Sequence, residues 1–173
     1  MWPKVQTMKK IFGFTLVELM ITAAVLAIVL SFAAPSLREL VLDNRLVGQT
    51  NQLVASLRLA RSEAVKRARE VTMKVNDDSD DGNEWGPGWT IWVDEDEDGN
   101  IDSTEEVLRV VAAVDTSIDS TGGRTVFKFQ STGLVDNSDI FDICDDRTGE
   151  TGRQVSLEAT GQAGVTNSDL DCP

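Results

Sequence analysis

From Phe14 to Ala34 the chain runs for 21 residues with a single charged side chain, Glu18. At about 1.5 Å of rise per residue, a helix of that length spans roughly 30 Å, the thickness of a bilayer's hydrocarbon core. The run therefore predicts a membrane-spanning helix. Lys4, Lys9 and Lys10 precede it, and the positive-inside tendency keeps this short leader in the cytoplasm and sends everything after Pro35 across. A secretory signal peptide also begins with basic residues and an apolar run, and Ser31-Phe32-Ala33-Ala34 offers small residues for its cleavage. Two features argue against that reading. Glu18 stands near the start of the apolar run, where a charge is expensive, and helical spacing continues beyond Pro35. An ionisable residue in a membrane segment requires a partner to offset its desolvation, which marks Glu18 as functional.

The residues around it, Lys9-Lys10-Ile11-Phe12-Gly13-Phe14-Thr15-Leu16-Val17-Glu18, resemble the class III signal of type IV prepilins and type II secretion pseudopilins. That resemblance implies cleavage by the prepilin peptidase between Gly13 and Phe14 and N-methylation of the new terminus at Phe14. It also implies that Glu18 pairs with the terminal amine of a neighbouring subunit. Elementary electrostatics agrees: a carboxylate and an ammonium are each costly alone in lipid and attract strongly at low dielectric, so docking in one register is favoured. Residues 1–13 are then the leader, with Met8 a second candidate start, and residues 14–34 the transmembrane and assembly helix.

Pro35 is compatible with a kink or a restart. Beyond it Leu37, Leu40, Val41, Asn44 and Val47, then Leu53, Leu57, Ala60, Ala64 and Ala68, recur at three- and four-residue spacing, a largely apolar stripe on an otherwise polar helix. Residues 35–74 are expected to continue the helix, its second half lying on a globular domain. This half is basic, and its charge is best read as a solvated face that pairs with the acidic remainder. The phrase Leu59-Ala60-Arg61-Ser62-Glu63-Ala64 narrows the resemblance to minor pilins of the FimT/GspH type.

Residues 75–173 form the expected acidic, β-rich domain. Val71–Val75, Trp89–Val93, Val107–Val114, Thr125–Phe129 and Gln154–Ala159 are rich in β-branched and aromatic residues and are separated by Gly, Asn, Asp and Ser. Met73 with Val75, Phe127 with Phe129, and Val155 with Leu157 each put an apolar pair on one strand face. The fold class is α+β: a long N-terminal helix packed on an antiparallel β domain, pilin-like. A Gly88-Trp89 strand, an acidic turn and a strand ending at Arg109 extend the resemblance through most of the domain. The stretch from Asn137 to Asp171 fits it least.

Cys144 and Cys172 are the chain's two cysteines, both in the exported part, where pairing is expected. The chain has no His and no Tyr, which excludes histidine acid–base chemistry and histidine metal sites. Phosphate-binding glycine loops and a Gly-x-Ser-x-Gly elbow are also missing from the sequence, so an enzyme is not expected. Residues 75–173 hold five Lys or Arg against 24 Asp or Glu, and so acidic a domain repels a polyanion at long range. Some FimT-like pilins take up DNA through a Gly-Arg-x-Arg motif. Here the matching stretch is Gly152-Arg153-Gln154-Val155, which lacks the second Arg and leaves Arg153 alone as a DNA contact.

The acidic turn from Asp94 to Glu105 reproduces the twelve-position calcium loop. Asp94, Asp96 and Asp98 supply oxygens, Gly99 the sharp turn, Asn100 its carbonyl, Asp102 a direct or water-bridged ligand, and Glu105 a bidentate closing ligand. Calcium and a solvated turn are both open at this point, since strands rather than helices flank the loop. Three functional readings follow: a minor pilin that primes or caps a type IV pilus-like filament, a type II secretion pseudopilin, and a filament-tip module for DNA uptake. The expected partners are the prepilin peptidase, other pilin subunits and the membrane, with DNA disfavoured. The expected place is the bacterial inner membrane with the C-terminal domain in the periplasm, then the filament.

Overall fold

The computed structural model describes residues 14–77, 83–113 and 118–172. The leader with Gly13, and residue 114 at the end of one expected strand, lie outside the described residues. Helix α1 spans Leu16–Arg67. Thr15 is its N-cap: the Thr15 Oγ1 accepts the Glu18 N–H at 3.2 Å, one half of a Thr-x-x-Glu capping box. Contacts divide the chain into two compact units, residues 1–41 and 42–173.

In the first unit the helix from Leu16 to Phe32 is apolar but for Glu18 and a few hydroxyl side chains, and its faces are bare. Phe14, Leu16, Leu19, Leu26, Val29 and Phe32 are each more than half exposed. The helix is long and apolar enough to cross a membrane.

In the second unit α1 ends earlier than its sequence suggests. Residues 68–74 were expected to continue the helix, but Ala68 turns left-handed at φ 53°. The Arg69 N–H reaches the Ala64 carbonyl at 3.3 Å and the Ala68 N–H reaches that of Val65 at 3.4 Å. This pair of bonds is a Schellman ending with alanine where glycine is usual. Strand β1 (Val71–Val75) follows at once, so the boundary between helix and β domain falls near residue 68 rather than 74. The β-branched and alternating pattern of Val71-Thr72-Met73-Lys74-Val75 prevails over helical continuation because the strand pairs on both sides.

The remaining strands are β2 (Trp89–Val93), β3 (Val107–Val111), β4 (Ile118–Gly122), β5 (Val126–Phe129), β6 (Asp139–Asp145), β7 (Gly149–Leu157) and β8 (Ala163–Cys172). They form two four-stranded sheets, ordered β3-β2-β1-β5 and β4-β6-β7-β8. Every pairing is antiparallel. One buried cluster joins Leu46, Leu53, Leu57, Ala60 and Ala64 of α1 to Met73, Ile91 and Phe127 of the first sheet and to Phe141, Ile143, Val155 and Leu157 of the second. Each apolar pair picked out by alternation is buried.

Trp85 binds the two sheets together. Its ring lies 5.7 Å from Phe127 and 5.2 Å, edge-on, from Phe141. Its indole N–H donates to the Arg124 carbonyl at 2.9 Å, so the buried ring keeps its polar atom satisfied.

Candidate functional site

The sequence-predicted residues fall in three places: the start of α1, the β2–β3 loop, and the second sheet, which holds Cys144, Arg153 and Cys172. In the first unit Phe14 is 80% exposed at the start of the chain's described part, and Glu18 stands one turn along in an exposed apolar helix. Among the described residues, Glu18's backbone is capped by Thr15. Thr15 is a residue that function-led reading passed over, although the Thr-x-x-Glu spacing was there to find it.

In the second unit the acidic loop joins β2 to β3. One oxygen from each of Asp94, Asp96 and Asp98 lies within 4.8 Å of the others. The loop closes on itself through carboxylates that accept backbone N–H groups: Asp94 Oδ2 from Gly99 at 3.0 Å, Asp96 Oδ1 from Asp98 at 3.3 Å, and Asp98 Oδ1 from Asn100 at 2.6 Å. Gly99 has φ +80°, a conformation that favours glycine. Asp102 instead accepts from Thr104, and Glu105 accepts the N–H groups of Glu95 at 2.9 Å and Asp102 at 3.1 Å. The Thr104 hydroxyl and N–H hold the Asp102 carboxyl below the usual range.

Support for the loop comes from the neighbouring strands, and no local pattern announces it. Thr72 of β1 pairs with Trp92 on one side and Lys128 of β5 on the other. The Thr72 hydroxyl donates to Asp94 Oδ2 at 2.8 Å. Lys128 Nζ donates to the Glu97 carbonyl at 2.8 Å and stands 3.6 Å from Asp94 Oδ2. It also lies 3.2 Å from Glu70 Oε1, an ion-pair contact without good hydrogen-bond geometry. Burial works against the Lys128 charge, yet Glu70 and Asp94 together raise it above the ordinary lysine value. Glu70 shifts against the pair, raised chiefly by burial, because it shares one ammonium with Asp94 and is crowded by Asp94 and Glu97.

The basic half of α1 meets acidic loops, as its charge pattern suggested. Arg67 forms a forked pair with Glu106, Nη2 to Oε1 at 2.9 Å, and also bonds Glu63 at 2.7 Å. Arg147 joins Asp145 to Asp43 of α1, 2.7 and 2.9 Å away. Arg58 and Arg61 line a groove of about 670 Å³, where they donate to the main-chain carbonyls of Ala163 and Gly133. These two arginines were counted only as part of a charged face, yet they cap turns of the β domain.

Cys144 and Cys172 form the expected disulfide, which ties the end of β8 to β6. Arg153 lies on β7 opposite Ile143, half-buried, with its Nε enclosed and without a hydrogen-bond partner among the described residues.

The family model described as type II transport protein GspH matches residues 49–161, most of the chain. The chain belongs to the GspH family. The prokaryotic N-terminal methylation motif matches residues 8–34, which include Gly13, Phe14 and Glu18. No curated protein matches this GspH-family chain. Among solved structures, the type IV minor pilin FimU of Pseudomonas aeruginosa is 24% identical, with a TM-score of 0.62 over 75% of this chain and 93% of that one. The minor pseudopilin EpsH of the Vibrio cholerae type 2 secretion system is 11% identical, with a TM-score of 0.52 over 71% and 97%. At these identities the likeness is one of fold, and it is the pilin-like α+β fold expected from the sequence. Pilins and pseudopilins are structural filament subunits rather than enzymes. This GspH-family member is accordingly a subunit that assembles with other pilin-type subunits, and its N-terminal apolar helix fits an inner-membrane anchor.

Proposed function

We propose that this protein is a minor subunit that primes or caps a type IV pilus-like filament. The prepilin peptidase cuts it between Gly13 and Phe14, Phe14 is N-methylated, and the C-terminal domain stands in the periplasm until assembly. The observation that carries this reading is the bare apolar helix with one carboxylate. Lipid can cover its hydrophobic faces, but only a neighbouring cation offsets Glu18, and the new terminal amine of an adjacent subunit is the cation that assembly brings.

Charge favours a position at a filament end over a repeating one. Domains with 24 acidic residues against five basic ones repel each other when stacked as copies, which suits a subunit present once or a few times. A type II secretion pseudopilin would use the same helix and the same carboxylate. DNA uptake at the tip is disfavoured by the acidity and by the half-buried Arg153.

The test is to shear filaments from cells, probe them for the subunit, and determine the mature N-terminus by mass spectrometry. The expected product begins at methylated Phe14 and is found in sheared filaments at low copy number. A mature chain beginning elsewhere, or a Gly13→Leu variant that is still cut, overturns the processing step. Equal abundance with the main subunit overturns the capping role.

A further inference from the structure

We propose that the β2–β3 loop is a calcium site, with Asp94 Oδ1, Asp96, Asp98, the Asn100 carbonyl, Asp102 and Glu105 as its ligands. Spacing is the first ground. Oxygen-bearing residues stand at positions one, three, five, seven, nine and twelve of the loop, with glycine at six, the order in which a calcium loop presents its ligands. Clustered acids alone do not require a metal.

The second ground is independent of the spacing and lies in how Asp94 is buried. Its side chain is fully enclosed and its two oxygens are treated unequally. Oδ2 accepts from the Thr72 hydroxyl and the Gly99 N–H and faces Lys128. Oδ1 is buried with no hydrogen-bond partner. A buried carboxylate oxygen left without a donor carries a desolvation penalty that a bound cation removes. Thr72, Gly99 and Lys128 thus fix one oxygen of Asp94 and leave the other for a ligand. Dimensions agree as well. Calcium–oxygen distances of about 2.3–2.6 Å place opposed ligands roughly 5 Å apart, and one carboxylate oxygen from each of Asp94, Asp96 and Asp98 lies within 4.8 Å of the others.

Two carboxylates must move for the site to close. Glu105 accepts N–H groups from Glu95 and Asp102, and Asp102 accepts from Thr104, so calcium competes with those bonds. That competition, and the absence of flanking helices around the loop, set the expected affinity in the weak range of extracellular modules, a Kd on the order of 10⁻⁴ to 10⁻³ M. Calcium is favoured over magnesium, because a flexible loop with a bidentate closing carboxylate and a main-chain carbonyl suits the larger ion.

The test uses the full chain in detergent micelles, stripped with chelator and titrated calorimetrically with calcium chloride, alongside thermal melts. One ion per chain is expected, with a melting temperature that climbs with calcium occupancy. Because Asp96 and Asp98 are exposed, Asp96→Asn with Asp98→Asn leaves folding intact and is expected to weaken binding at least tenfold. A cooperative melt of the chelated protein establishes that the sample is folded. Given such a melt, three results each overturn the site: no saturable heat up to about 10 mM calcium, an unchanged isotherm for the double variant, or magnesium binding as tightly as calcium. The measurement is made on dispersed subunits, so its failure leaves the filament reading untouched.

Discussion

Gly152 lies against Cys172: a Cβ at Gly152 would fall inside contact distance of the Cys172 sulfur and 3.1 Å from that of Cys144. The glycine of the Gly-Arg pair is therefore required by the disulfide, which explains its presence without any DNA contact. Gly152→Ala is expected to displace the bridge. Loss of a bridge that spans 28 residues costs about 3–4 kcal/mol in the chain-entropy model. Thiol counting on the unfolded variant checks this: free thiols are expected in a substantial fraction of molecules, whereas full oxidation with an unchanged melt contradicts the packing argument.

Ala68 ends α1 in a conformation that disfavours any residue with a Cβ. Ala68→Gly removes that penalty and gives back part of it through the greater freedom of the unfolded chain. The expected net stabilisation is about 0.5–1 kcal/mol, read as a rise of a few degrees in melting temperature. A destabilised variant would show that the Schellman ending does not form.

Trp85 is fully buried and touches aromatic rings from both sheets. Trp85→Ala is expected to destabilise by about 3–5 kcal/mol, since it leaves a large void and removes the donor to the Arg124 carbonyl. Trp85→Phe, which keeps much of the volume, should lose less. Chemical denaturation of the two variants checks the order, and equal losses would assign the effect to the N–H bond alone.

Long periodic elements were legible in the sequence, and elements held by tertiary pairing were less so. The helix showed itself through Leu53, Leu57, Ala60 and Ala64 at helical spacing, all of them buried, whereas Leu37, Leu40 and Val41 of the same stripe are exposed and Leu42 and Leu46, outside it, are buried instead. Strands β1, β5 and the end of β7 showed themselves through alternation, and β2 through its run of aromatic and β-branched residues. β8 did not, because Asn167, Ser168 and Asp169 are exposed and only its ends are buried, so the strand is fixed by its ladder to β7 and by the disulfide. β4 carries Asp, Ser, Thr and Gly with little apolar signal and forms an edge beside β6. The loop's own acids were visible in order. Thr72 and Lys128, which hold Asp94, come from strands 22 and 34 residues away and meet it only through sheet register.

Glu63 gives a prediction about pH. Hydrogen bonds from Arg67, then Lys66, hold its carboxyl below the ordinary value of 4.5. A depressed carboxylate contributes stability that is present above the unfolded pKa and fades as pH falls through the folded one. Glu63→Gln is therefore expected to melt slightly below the wild type at pH 7, with the gap closing as pH drops beneath 4.5. The Glu63 side chain is half-buried but its partner Lys66 is exposed and Arg67 partly so, and solvent screens the pairs, so the gap is small and shrinks in high salt. A gap that is constant across pH would show that packing rather than charge is at work.

Glu18 can serve assembly in two ways, and one substitution separates them. In a capping box the residue three after the cap reaches back to the cap's own N–H, a task glutamine performs as well as glutamate. Thr15 already supplies the other half of that box. In the filament reading, Glu18 acts through its charge, meeting the terminal ammonium of a neighbour in a medium of low dielectric. Glutamine keeps the shape and the capping bond and lacks the charge. Glu18→Ala and Glu18→Gln should both insert in the membrane at wild-type levels or better, since each removes an expensive charge from the apolar run. Both should then be depleted in sheared filaments to a similar degree, at least tenfold against the wild type. Recovery of incorporation by Glu18→Gln alone would reduce Glu18 to a helix-capping residue and leave the neighbour's amine without the partner proposed for it.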